Sequence, residues 1–419
     1  MIRLLHTADW HLGQKLQGWS REVEHARVLD RLVAIAAERQ VDALILAGDV
    51  FDTINVPHET ERLYYETLGR LRRALPDLTI VVTAGNHDPA GRIDAPGPIV
   101  SALGIHTIGT VARRDGAIDL DRHLIPLRSA TGAVAAHVLA IPHLGPASLP
   151  PIETGEEIPG SPVVRAVTAF HAEAVAAARA RIGAAPLILT GHLTIAGGLE
   201  SEGAERRILI GGEHAIPATL FPADVAYVAL GHLHKPQGIG RETVRYSGSL
   251  MPLSATERGY DHGVTIVEID AAGTRIEHVP IERPVPFLRI PARGGLAPAA
   301  IEAELQSLGL DPALPITERP FLHLGIRLDG PAPTLKADLD RIASAFPVRL
   351  VGHGIERPER EADDAPATDL AIDLADRDPL DLFRLAFDKA HPGIAPNERH
   401  LAAFAAALDA VLDPDRQGA

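Results

Sequence analysis

The chain has 419 residues, too many for one ordinary domain, and its 46% apolar share is enough for a real core, so two or three domains are expected. It has no cysteine, which excludes disulfides, thiolate metal ligands and cysteine nucleophiles and suits a cytoplasmic protein. Its net charge of −15 argues against nucleic-acid binding over the whole surface but leaves room for a local basic strip beside metal ions, which bring positive charge themselves.

Short apolar runs of strand length lie at 2–5, 43–46, 79–83, 137–141, 187–190 and 225–230. Arg3, His6 and Asp9 interrupt the first before it could serve as a signal peptide, and no run reaches the roughly 18 residues of a membrane span. Helical spacing fills 22–39, through Val23, Ala26, Leu32, Val33 and Ile35, and helix formers fill 58–75 up to Pro76. Strand, helix, strand with continuous apolar strands predicts a buried, at least partly parallel sheet covered by helices.

Residues 145–162 are rich in Pro, Gly and Glu and predict a loop; 174–185, alanine-rich with Arg179 and Arg181, predict an amphipathic helix. The character changes after Ile281. Pro284 and Pro286 mark a linker, followed by a strand at 287–290, a helix at 298–308, a strand at 321–328, a helix at 335–346 with Thr334 as N-cap, and a strand at 348–351. Residues 356–368 read as a charged tether. Two short helices follow at 379–390, with Leu380, Phe383 and Phe387 on one face, and at 398–412, with Leu401, Phe404, Leu408 and Val411. Such faces pack back on the body or dock on a partner. The domain reading is 1–280, 284–352, a linker at 353–378 and a helical region at 379–419.

Polar motifs stand straight after the apolar runs: Asp9-Trp10-His11, Gly48-Asp49, Gly85-Asn86-His87-Asp88, Gly191-His192 and Gly231-His232-Leu233-His234. Singly, several have bland readings. Gly48-Asp49 is often just a turn, and Asp9-x-His11 could be a helix cap with a surface histidine. Together they describe one metal centre at the carboxyl ends of strands, where such sheets bind ligands. Carboxylate, imidazole and amide oxygen suit hard or borderline divalent ions, and a shared carboxylate can bridge two of them. In Gly231-His232-x-His234, an extended segment would turn both imidazoles one way. The other histidines, His143, His171 and His262 among them, read as surface or core residues, and His6 as a neighbour of the centre. Arg92 and Lys235 border it and read equally well as phosphate contacts or solvated charges.

In order and wording, these motifs resemble the calcineurin-like metallophosphoesterases, and within them the SbcD-type nuclease subunits. Thr7-Ala8-Asp9-Trp10-His11-Leu12-Gly13, Ala47-Gly48-Asp49-Val50-Phe51-Asp52, Gly231-His232-Leu233-His234-Lys235-Pro236-Gln237 and Tyr246-Ser247-Gly248-Ser249 carry the resemblance. It departs at Leu250-Met251 and over 196–207. The resemblance implies a four-layer α/β sandwich of two mixed sheets flanked by helices, a small α+β capping domain and a C-terminal helical tail. It implies one metal held by Asp9, His11, Asp49 and His234, a second held by Asp49, Asn86, His192 and His232, and His87 acting on the phosphodiester with Asp88 orienting its ring. Manganese is the implied ion, with magnesium, iron or zinc not distinguished by spacing. The implied activity is a two-metal DNA nuclease, a double-strand 3'-5' exonuclease and single-strand or hairpin endonuclease in repair, replication and recombination. The implied assembly is a homodimer forming a heterotetramer with an SbcC-like ATPase of the SMC/ABC type, which the tail binds. The chain has no Gly-Lys pair and hence no P-loop lysine, so ATP dependence must come from a partner. A small-molecule phosphodiesterase, or a DNA-end scaffold for the ATPase, are the alternatives.

Overall fold

The structure, a computed structural model, describes residues 1–149, 161–201, 215–328, 332–356, 378–390 and 395–412. The first three apolar runs become the parallel strands β1 (Ile2–Thr7), β2 (Ala43–Ala47) and β3 (Thr79–Thr83), which pair side by side in chain order and are extended by a strand outside the expected runs, β4 (Ile105–Ile108). A second sheet follows, built from β5 (Leu124–Arg128), β6 (Val134–Leu139), β7 (Leu187–His192), β8 (Tyr227–Gly231), β9 (Gln237–Ile239) and β10 (Arg241–Tyr246). The chain then returns to the first sheet as the hairpin β11 (Gly263–Asp270) and β12 (Gly273–Pro280), with β11 antiparallel to β1. The orders are β12-β11-β1-β2-β3-β4 and β9-β10-β8-β7-β6-β5, so each sheet has six strands and both are mixed.

Alternation sends one set of side chains inward and one outward, and in the central strands β2, β7 and β8 both sets are buried because both faces are covered. Ile2, Leu4, Ile45 and Val81 of the first sheet pack against Val138, Ile188, Tyr227 and Ala229 of the second. On the outer face of the first sheet, helices α1 (Glu22–Glu38) and α2 (His58–Ala74) cover Leu5, Leu44, Leu46, Ile80 and Val82 with Leu29, Leu32 and Leu68. On the outer face of the second, α3 (Pro162–Ile182) covers Leu187, Leu189 and Val228 with Val167, Phe170 and Ala174. Helix, sheet, sheet, helix makes four layers.

Two expectations change. Pro162 opens α3 instead of closing a loop: proline is tolerated in a first helical turn, and the buried face runs from Ala166 to Ala178. Thr334 stands at the N-cap of its helix, but its hydroxyl donates to the Asp338 carboxylate at 2.9 Å and makes no side-chain capping bond.

Beyond Ile281 lies a three-stranded parallel sheet of β13 (Phe287–Ile290), β14 (Phe321–Arg327) and β15 (Arg349–Glu356). Helices α4 (Ile301–Ser307) and α5 (Leu335–Ser344) bury Ile301, Leu305, Leu335 and Leu339 against Leu322, Leu324 and Ile326. This capping sheet belongs with the two large sheets in one compact unit, Met1–Pro358. Leu16, Val285, Phe321 and Val351 form the apolar seam between them. The Trp19 indole donates to the Leu350 carbonyl at 3.0 Å across the same seam.

A second unit covers Glu359–Ala419. Its helices are α6 (Pro379–Ala390) and α7 (Glu398–Leu412), and Phe383 stacks on Phe404 with ring centroids 4.5 Å apart. Most of the tether at 356–368, part of the loop at 145–162, residues 202–207 and His214 lie outside the described residues. Among the described residues no helix is long and apolar enough to cross a membrane.

Candidate metal centre

Parallel strands end side by side, so the residues that follow them converge. Asp9, Asp49 and Asn86 follow β1, β2 and β3 of the first sheet, His192 ends β7 of the second, and His232 and His234 follow β8. The turns are tight. Asp9, His11, Asp49 and His232 all have positive φ, at 53°, 43°, 49° and 100°. Left-handed backbone is costly for residues with a Cβ and persists where the surroundings impose it. Glycines make the room. Gly48, at φ 88°, lies so close to His192 that a Cβ there would collide with Nδ1, and a Cβ at Gly231 would strike the Ala47 carbonyl oxygen.

Seven side chains meet there in two groups. Asp9, His11 and His234 present ligand atoms within 4.8 Å of one another, as do Asp49, His192 and His232. The Asn86 amide oxygen lies 3.0 Å from His192 Nε2 and 3.2 Å from His232 Nδ1, which places it with the second group. Asp49 stands between the groups, its Oδ2 3.3 Å from His192 Nε2 and 3.5 Å from His11 Nε2. His232 and His234 do not share one direction. The backbone at His232 is not extended, with φ at 100°, and each ring goes to a different group.

The remaining bonds orient these groups. His192 Nδ1 donates to the Ala47 carbonyl at 2.9 Å, which fixes Nε2 as the atom facing Asn86 and Asp49. The His232 backbone N–H donates to Asp9 Oδ1 at 2.9 Å, and the His87 N–H to Asp49 Oδ1 at 2.9 Å. Behind His234 stands Glu257, its Oε1 2.8 Å from Nδ1, a carboxylate–imidazole support of the sort that orients metal-binding histidines. Burial opposes ionisation of Glu257, yet the His234 hydrogen bond and charge hold its carboxyl below the usual range.

Charges are concentrated. Burial works against the Asp49 carboxylate too, but His192 and His11 hold it well below its ordinary value. His192 is correspondingly pushed up to about 9: burial favours the neutral ring, and Asp49 and Asp9 more than offset it. Burial pushes Asp9 up and, helped by the charge on His192, pushes His232 well down.

The donor set fits divalent cations. His11 Nε2 and Asp9 Oδ2 are buried and have no hydrogen-bond partner, a costly state for polar atoms unless something else binds them. Nitrogen and oxygen donors without sulfur match hard or borderline ions.

Asp88 does not stand where a ring-orienting group would. Its carboxylate accepts backbone N–H groups from Val50 at 3.1 Å, Phe51 at 2.8 Å and Gly85 at 2.8 Å. It ties two loops together, because buried N–H groups with no ladder partner need an acceptor. The His87 ring is held by the Asp52 carbonyl, 2.8 Å from Nδ1. Asp52 also places Oδ1 3.2 Å from His11 Nδ1. In the sequence Asp52 has no role beyond closing its motif, and its only signal is that place. Glu257 has no local signal, being 23 positions from His234. His143, which reads as ordinary, places Nδ1 3.2 Å from the His192 carbonyl.

His11, Asp52, His87 and His234 form the floor of a cavity of about 340 Å³ whose roof includes His323 and His353 of the capping sheet. Lys15 also lines it, whereas Arg92 pairs with Glu61 at 3.4 Å.

Residues 2–236 match the calcineurin-like phosphoesterase family model, and residues 283–391 match that of the type 5 capsule protein repressor C-terminal domain. The SbcD chain of the SbcCD nuclease from Rhodobacter capsulatus is 51% identical over 387 residues, 92% of this chain and 94% of the relative. The chain belongs to the SbcD family of calcineurin-like phosphoesterases. Among other SbcD relatives, that of Escherichia coli K12 is 34% identical over 86% of each chain. The Bacillus subtilis relative is 41% identical over 64% of this chain and 66% of its own. Membership accounts for the mixed sheets and for a donor set built for divalent metal.

Proposed function

We propose that this SbcD-family chain is a two-metal DNA nuclease that works with an SbcC-like ATPase of the SMC/ABC type. The carrying observation is the place of Asp49, whose Oδ2 lies within 3.5 Å of imidazole nitrogens from both ligand groups. In this reading Asp9, His11, His234 and Asp49 hold one ion, and Asp49, Asn86, His192 and His232 hold the other. Bound there, the ions, manganese by preference, supply Lewis acidity to the phosphoryl group and an acidified water.

The chain's residues do the rest. The bond between His192 Nδ1 and the Ala47 carbonyl, and that between His234 Nδ1 and Glu257, keep each ring in one orientation. With Nδ1 directed to the Asp52 carbonyl, His87 uses Nε2 to pass a proton to the departing oxygen. Asp88 keeps the loops of Asp49 and His87 in register. The wall of Lys15, His323 and His353 offers donors to a polyanionic chain.

The relatives are named as one component of the SbcCD nuclease, which supports a nucleic acid as substrate and a second protein as partner. On this reading duplex ends are degraded 3'-5', hairpins and single strands are cut internally, two copies join two ATPase chains in the cytoplasm, and α6 and α7 form the ATPase-binding segment. The test is a manganese-dependent assay on linear duplex and hairpin DNA, with and without an SbcC-type ATPase. Cleavage of both is expected. Hydrolysis of nucleotide-like esters alone would overturn the DNA reading.

A further inference from the structure

Two arginines are buried where the capping sheet meets the large sheets. Arg21 and Arg349 are each 1% exposed, and their guanidinium carbons lie 5.4 and 3.7 Å from the centre of the Phe321 ring. Arg349 belongs to β15, Phe321 to β14, and Arg21 immediately precedes α1. Glu24 pairs with Arg21 through two contacts of 3.0 Å. Arg349 donates to the carbonyls of Ser20 at 3.2 Å and Arg319 at 2.8 Å.

Neutralising a buried guanidinium requires only Glu24. Arg21 does more. Its Nη1 donates to the Pro252 carbonyl and to the Gln14 amide oxygen, the latter at 2.8 Å. Gln14 in turn donates through Nε2 to the Leu253 carbonyl at 2.8 Å. The Leu253 N–H donates to Glu257 Oε2 at 2.7 Å, and the other oxygen of that carboxylate lies 2.8 Å from His234 Nδ1. Gln14 also bonds back to the His11 carbonyl through its own N–H at 3.0 Å. Linked contacts therefore run from Phe321 of the capping sheet through Arg21 and Gln14 to the imidazole of His234 and to the backbone carbonyl of His11, two residues of one ligand group. Arginine suits the junction because its planar fork serves several acceptors at fixed angles.

We propose that Arg21 is a positioning residue for the metal centre: it joins the capping sheet to the loop 252–257, which sets Glu257, and Glu257 sets the His234 ring. The metal half of the claim rests on the reading that His234 holds an ion; the ring half does not.

The test uses the full chain as wild type, Arg21→Met, Arg21→Lys, Glu257→Gln and the Arg21→Met/Glu257→Gln double variant. Titration calorimetry with manganese alone is expected to show two ions in the wild type. In Arg21→Met one of them should bind about tenfold to a hundredfold more weakly, the usual effect of disturbing an outer partner of a ligand. The double variant should be little worse than Glu257→Gln, since both act through one path. Wild-type affinity for both ions in Arg21→Met, or fully additive losses, overturns the proposal and leaves the nuclease reading intact.

A wild type that binds no manganese overturns the functional reading instead. The ring half is then decided by nitrogen-15 imidazole spectra of the metal-free chain, with Glu257→Gln assigning the His234 Nδ1–H signal. Loss of that signal in Arg21→Met supports the proposal, and its persistence refutes it. If Arg21→Met melts early, Arg21→Lys, which keeps the charge and loses the fork, carries both measurements.

Discussion

The Asp88 carboxylate accepts the backbone N–H of Phe51 at 2.8 Å, across 37 positions of sequence. With Val50 and Gly85 on the same carboxylate, the loops after β2 and β3 are joined by one side chain. Burial, with Asp49 nearby, pushes its pKa up to about 6. Asp88→Asn keeps the shape but turns acceptor capacity into donors that face other donors. Loss of about 1.5–3 kcal/mol is expected, the scale of hydrogen bonds to charged groups. Urea denaturation checks it, and an unchanged midpoint would show that the loops hold without this tie.

Asp49→Asn tests the shared carboxylate. A ligand common to two ions cannot be lost from one alone, so both affinities should drop by at least about a hundredfold, the upper range for mere outer-shell changes. Calorimetry distinguishes this from the loss of a single ion, which would place Asp49 in one group only.

His87→Gln separates binding from turnover. Both ions should remain, while cleavage falls by about a hundredfold to ten-thousandfold, the range for a lost proton donor. Full cleavage by this variant removes His87 from the reaction.

Four buried histidines make stability depend on pH. Burial lowers His6 and His25 to about 3 and His171 and His262 to about 4, from 6.5. The unfolded chain takes up protons that the folded chain refuses. The share of stability from these four histidines is therefore complete above pH 6.5, declines as pH falls toward 4, and levels off below the folded values. Each such histidine contributes up to about 1.4 kcal/mol per pH unit within that window. Denaturation midpoints between pH 7.5 and 4.5 should fall with acid, less steeply in His171→Phe. A flat profile refutes it.

Glu24→Gln leaves Arg21 and Arg349 buried without a carboxylate partner. Arg349 Nη2 already has no hydrogen-bond partner, and burial lowers the pKa of that guanidinium although Glu24 opposes the shift. A loss of about 3–5 kcal/mol is expected, the scale of a broken buried ion pair. A variant as stable as the parent would mean that water reaches the junction.

Single segments were legible in the sequence where chemistry and periodicity coincide. Asp9, Asp49, Asn86, His192 and His232 each follow or end a run buried on both faces, so strand and donor could be seen in the same dozen letters. Legibility failed where function depends on partners distant in sequence. Nothing around Glu257 points to His234, and nothing near Arg21 points to Phe321, 300 positions on. Asp88 illustrates a subtler limit. A carboxylate beside a histidine suggests a ring partner, but unpaired backbone N–H groups are invisible in side-chain letters and compete for it. His232 is similar: alternation implies one direction for alternate residues only while the backbone stays extended, and at φ 100° it does not.

The two side-chain groups draw on the ends of both large sheets, so metal held there would couple its occupancy to folding. An ion held across the two would act as a crosslink, present only while the sheets keep their mutual alignment. At a free concentration one hundred times its dissociation constant, one such ion adds about 2.7 kcal/mol to the folded state. Chelation would then lower the melting temperature as well as stop turnover, and loosening the sandwich far from the centre would show up first as leaking metal.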